Sequence, residues 1–152
     1  MKKFRVLKEE FKNNLSKSVK DLGGYYFFIY SFEEFKTHSD VLSRLIKEFN
    51  SEFKWDEMYT MDDVPVRFKD GCHLSILYYK DVPTGYCWFK KGWSFNLYVS
   101  KVRKRPQILP LLYINDMTQD IVDKFGYVEY ETDVWNTFMI KWASKGGYKE
   151  IS

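Results

Sequence analysis

Three groups of residues in this chain have the types and spacing to do chemistry. Glu129, Glu131 and Asp133 alternate with Tyr130, Thr132 and Val134, so on an extended strand the three acids line one face. Such a row can attract a cationic amine and take its proton through water, or it is a solvated strand face. Lys101, Arg103, Lys104 and Arg105 concentrate four cations in a short run. They either hold phosphate by charge-assisted contacts or form a solvated basic turn. Tyr98 is the only titratable side chain in the stretch from Trp93 to Ser100, a proton donor or a packed phenol. His38 and His73 are far apart, and Cys72 beside His73 has no metal-ligand spacing with Cys87, so no metal is expected. No Ser/His/Asp pattern or glycine-rich phosphate loop is present either.

Composition bounds the fold that must position these groups. A chain of 152 residues is the size of one domain and buries roughly two-thirds of its unfolded surface. Aromatic residues make up 20%, which suits a sheet-containing core filled by rings. A net charge of +3 with 30% charged residues is too balanced to argue for nucleic acid. Two cysteines are too few for a disulfide framework and point to a reduced, cytoplasmic setting. No apolar run approaches the length of a membrane span, and Met1-Lys2-Lys3 opens no signal peptide; a soluble chain without membrane partners is expected.

The periodicities predict the elements. Phe4, Leu7, Phe11, Leu15, Val19 and Leu22 recur at helical spacing, giving an N-terminal helical extension over residues 1–22, helical from about Lys8 and ended by Gly23-Gly24. Tyr25–Tyr30 reads as a strand. Val41, Leu42, Leu45, Ile46 and Phe49 mark a helix capped by Ser39 or Asp40, and Trp55–Asp63 a short helix ended before Pro65. His73–Lys80 and Tyr86–Lys91 form a hairpin around Asp81–Gly85, followed by a strand from Trp93 to Ser100. On that strand Trp93, Phe95, Leu97 and Val99 alternate with Ser94, Asn96, Tyr98 and Ser100. A helix from Leu111 to Phe125, a strand from Tyr127 to Val134, a helix from Thr137 to Lys145 and a strand from Tyr148 to Ile151 complete the chain. The expectation is one α+β domain over 1–152, with a mixed central sheet flanked by helices in the core from residue 24.

Val134-Trp135-Asn136, the helix after it and the Gly146-Gly147-Tyr148 step resemble the closing segment of the GNAT (GCN5-related N-acetyltransferase) fold, V-x-N-x-x-A-x-x-x-Y-x-K-x-G-F. Asn136, Ile140, Lys145, Gly147 and Tyr148 match, while Ala143 stands where the family has its tyrosine acid. The element order from residue 24 onward resembles the same fold. The resemblance implies acetyl-CoA as cofactor, held by a cradle reading R/Q-x-x-G-x-G/A before a helix. Arg103 matches its first position, but Pro106 and Ile108 replace the glycines; Pro106 removes an N–H donor and Ile108 crowds the turn. Cofactor contacts would fall to Val99, Lys101, Arg103, Lys104, Arg105 and Asn136, and catalytic roles to Tyr98, Glu131 and Asp133. Asn136 also has a local role as a helix cap.

Two readings follow from the resemblance. One is a divergent acyl-CoA-dependent N-acetyltransferase-like protein acting on an amine-bearing small molecule or protein. The other is a non-catalytic module similar to the GNAT-like internal virion and accessory proteins of short-tailed bacteriophages, with a virion or host protein as partner. Either way, acetyl-CoA binding is expected to be weak or lost. The strands Trp93–Ser100 and Tyr127–Val134 should be parallel neighbours that diverge toward their C-terminal ends, since the connection between them is a βα crossover.

Overall fold

The computed structural model of the chain describes residues 1–13, 22–52 and 60–151. Its strands are β1 (Lys2–Leu7), β2 (Tyr25–Tyr30), β3 (His73–Tyr79), β4 (Val82–Lys90), β5 (Trp93–Val99), β6 (Tyr127–Thr132) and β7 (Lys149–Ile151). Its helices are α1 (Phe32–Lys36), α2 (Ser39–Glu52), α3 (Asp63–Lys69), α4 (Leu109–Phe125) and α5 (Thr137–Gly146). The strands form a mixed α+β sheet in the order β2-β3-β4-β5-β6-β1-β7.

The described residues divide into two compact units. One holds residues 22–52, 60–90 and 96–107. Here β2, β3 and β4 run antiparallel, with Leu74 opposite both Tyr30 and Trp88. Thr84 to Phe89 are buried without interruption, as a strand covered on both faces requires. Leu42, Leu45, Leu74, Ile76, Tyr86 and Trp88 form the core, each burial worth about 2 kcal/mol. The other unit holds residues 1–13, 91–95 and 108–151. Its α4 buries nine residues, Leu109, Leu112, Tyr113 and Val122 among them, and ends at Gly126.

The largest departure from expectation is at the start of the chain. Phe4 and Leu7, read as part of a helical stripe, lie on β1, which pairs antiparallel with both β6 and β7. Phe4 and Val6 alternate inward with Arg5 and Leu7 outward, and a stripe spaced by three and four hid this two-residue period. Residues 8–13 are turn and irregular chain, not helix. Leu15 and Val19 lie outside the described residues.

Several of the smaller corrections trace to the placement of proline and of positive-φ residues. Pro65 does not end a helix; it sits in the first turn of α3, where its missing N–H has no intrahelical partner to lose. The Trp55–Asp63 helix falls mostly outside the described residues, and the described helix starts at Asp63. The β3–β4 turn is the pair Lys80-Asp81, with φ of 49° and 63°, and Val82–Gly85 already belong to the strand. A register shift between Leu77 and Tyr78 accommodates Pro83 in the ladder. α2 already begins at Ser39, so Ser39 and Asp40 lie inside its first turn, and the separate short helix α1 before it is capped by Ser31 in a reciprocal box with Glu34. Asn96 has φ 52°, which breaks the alternation expected along β5. β6 ends at Thr132, two residues before Val134.

The expected parallel pairing is present: β5 pairs with β6 at Trp93 and Glu129, where Glu129 N–H donates to Gly92 O at 2.8 Å.

Candidate functional site

The basic run follows the last residue of β5 and is held from several directions. Ser100 N–H donates to Thr84 O at 2.7 Å, which ties the loop to β4. Gly85 is required beside it, because a Cβ there would collide with the Tyr98 carbonyl oxygen. Arg103 Nη2 donates to Glu48 Oε1 at 3.0 Å, with the two side chains 21% and 18% exposed. Lys101 lies 3.6 Å from Glu52. Arg105 turns back on its own loop, donating from Nε to Ser100 O at 2.7 Å and from Nη1 to Pro106 O at 3.2 Å. Burial holds its guanidinium below the usual value, with Glu52 and Tyr98 pulling the other way. Lys104 is exposed and Val99 half-buried.

Glu48 and Glu52 were missed as site residues. Their spacing of four on the helix expected from Ser39 was the available signal, since it sets two carboxylates on one helical face. Nothing in the sequence said that the basic run would reach them.

Tyr98 is 3% exposed and packs edge-on against Phe49 and at a tilt against Tyr86. Burial first, with Glu52 and Glu48 adding to it, pushes the phenol well above its ordinary range. It therefore keeps its proton at neutral pH.

The acidic row and Asn136 belong to the other unit. Glu129 is bound by Arg5 of β1, whose Nε donates at 2.6 Å, and lies 3.7 Å from Lys3 Nζ. Glu131 is exposed with Lys3 as its register partner, and Asp133 is half-buried beyond the end of β6. Asn136 Oδ1 accepts from Met139 N–H at 3.3 Å, the capping role expected of it. Ala143 is 1% exposed, and its carbonyl accepts from both Gly147 and Tyr148 N–H. Gly147 is fixed twice over: its φ is 86°, and a Cβ would strike the Glu10 carbonyl oxygen.

The residues do not fit a pyrophosphate cradle. Pro106 supplies no N–H, two guanidinium groups are already engaged, and α4 starts at Leu109 behind an Ile108 without a side-chain cap. Pro110 falls within the first turn, so the helix start lies beyond the basic run. What the loop does form is an open cleft of about 720 Å³, lined by Tyr79, Lys80, Val82, Thr84 and residues 102–106. Among the described residues no His/Cys/Asp/Glu group could hold a metal ion, and no helix is long and apolar enough to cross a membrane.

No family model and no curated protein matches the chain. Solved structures do. A functionally unknown conserved protein from Staphylococcus epidermidis superposes with a TM-score of 0.65 at 9% identity, over 99% of this chain and 57% of that one. The C-terminal domain of a putative lysylphosphatidylglycerol synthetase from Agrobacterium fabrum gives 0.63 at 11% identity, over 95% and 50%. A GCN5-related N-acetyltransferase from Kribbella flavida gives 0.52 at 12%, over 97% and 53%. The chain spans about half the length of these proteins, and at such identities the likeness shows the fold alone. That fold is GNAT-like.

Proposed function

We propose that this chain is a divergent GNAT-fold module that binds a partner rather than transferring an acyl group efficiently. One observation carries the reading: the residues the family's chemistry would call on are already spent on structure. Arg103 neutralises Glu48, Arg105 serves its own loop's carbonyls, Tyr98 is a buried neutral phenol, and Ala143 is core. Transfer from a thioester needs a group to protonate the departing thiolate, and losing a positioned acid costs on the order of a hundredfold or more in rate. On this reading the partner is a protein, of phage virion or host origin.

The second reading, an acetyl-CoA-dependent N-acetyltransferase, is favoured by the fold and by the exposed carboxylate of Glu131. Calorimetry with acetyl-CoA, and acetylation assays on polyamine, peptide and aminoglycoside panels, separate the two. Weak or undetectable binding with background turnover is expected. Robust acetylation of any acceptor would refute the non-catalytic reading. If binding is tight and disappears in Arg103→Ala/Arg105→Ala, the cations have replaced the missing amides.

A further inference from the structure

The cleft beside the basic loop has a second wall, the turn of the β3–β4 hairpin. We propose that this cleft binds a small organic phosphate, a phosphate monoester on a flat apolar body, with Lys80 and Lys104 as the phosphate ligands. The proposal goes beyond the reading above and stands without it.

Charge is the first argument. None of the nine lining residues is acidic, and four are cations: Lys80, Arg103, Lys104 and Arg105. Arg103 is neutralised by Glu48. Among the described residues Lys80 and Lys104 carry no ion pair, and the Arg105 hydrogen bonds to Ser100 and Pro106 go to neutral carbonyl oxygens. Like charges around a concavity focus the field and concentrate anions. The apolar surface is the second argument. Val82 and Val102 are 41% and 71% exposed, and the Tyr79 ring lies 5.6 Å from Lys80 Nζ, so the cations border a surface that suits a flat ring.

The third argument is that both walls are already fixed. On the hairpin side, Lys80 N–H donates to Gly24 O at 2.7 Å. The Tyr26 hydroxyl donates to Asp81 Oδ1 at 2.8 Å, and this engages the turn's carboxylate, which does not line the cleft. On the loop side, the Ser100–Thr84 and Arg105–Ser100 bonds set the wall's position. A ligand entering a preformed site pays little to order it.

The test is a titration of the full chain with phenyl phosphate, phenol and inorganic phosphate, read by amide chemical shifts and calorimetry. Phenyl phosphate should shift the Thr84 and Val102 amides and bind more tightly than either component. Lys80→Asn/Lys104→Ala should weaken it about a hundredfold, since each of the two lost charged hydrogen bonds is worth about tenfold. Asn is chosen at 80 because it tolerates the left-handed backbone there. Lys69→Ala, an exposed cation on α3, should leave binding unchanged. The site is overturned if phenol binds as tightly as phenyl phosphate, if the shifts fall elsewhere, or if the double substitution has no effect.

Discussion

The segment from Asn136 to Tyr148 and the loop from Lys101 to Pro106 both follow a strand of the sheet, yet their ends are fixed differently. The first is capped and closed from within, with Lys12 N–H and the Tyr130 hydroxyl adding bonds to the Gly146 and Met139 carbonyls. Its cap reaches three residues ahead, and its closing bonds return to Ala143 from the next turn. The loop is held partly from afar, with Arg103 reaching a carboxylate 55 residues earlier in the chain. A segment whose cap and closing bonds are local can be recognised from its sequence. A loop that borrows its partners takes its meaning from residues the local sequence does not contain.

The largest effect that would break this contrast is expected at Ala143. Ala143→Tyr restores the family's residue type but places a phenol where the site is 1% exposed. Overpacking there should cost about 3 kcal/mol in urea unfolding and yield no acetylation. A stable, active variant would mean that the segment is not closed on itself. Next comes the loop. Arg103→Ala leaves Glu48 without its guanidinium and should cost about 2 kcal/mol. Adding Glu48→Gln should recover part of the loss, and a double-mutant cycle with no coupling would show that the pair does not brace the loop. Smallest is Asn136→Ala, at about 1 kcal/mol with an unchanged denaturant slope. Asn136→Asp should retain most of the stability.

The same contrast explains what the sequence disclosed. The closing strand-helix-strand, Asn136 as a cap and the parallel β5–β6 pairing could be read because caps, helical periods and crossover rules act over short stretches of chain. β1 could not. Its inward residues Phe4 and Val6 acquire a strand's period only once β6 and β7 flank them, and Leu7, Phe11 and the residues beyond happen to continue a helical spacing. Of the acidic row, Glu129 and Glu131 lie on β6 but Asp133 falls beyond its end, and Glu129 proved to be the cross-strand partner of Arg5, which only the strand pairing reveals. The basic run was visible as a cluster of charge, whereas its bracing by Glu48 and its second wall at Lys80 depend on tertiary placement.

The position of β1 also sets an order of assembly. Arg5 and Glu129 are 124 residues apart, and the neighbour on β1's other side, β7, lies later still. By contrast, β3 meets β4 across a two-residue turn. Closing the longer loop costs more chain entropy before any contact repays it, so the hairpin can be in place while β1 has no sheet to join. In pulsed hydrogen exchange during refolding, protection at Ile76 should therefore precede protection at Val6, and simultaneous protection would contradict this order. Until β1 arrives, the flank of β6 that it covers is an open strand edge, and association between incompletely folded chains is most favoured in that interval.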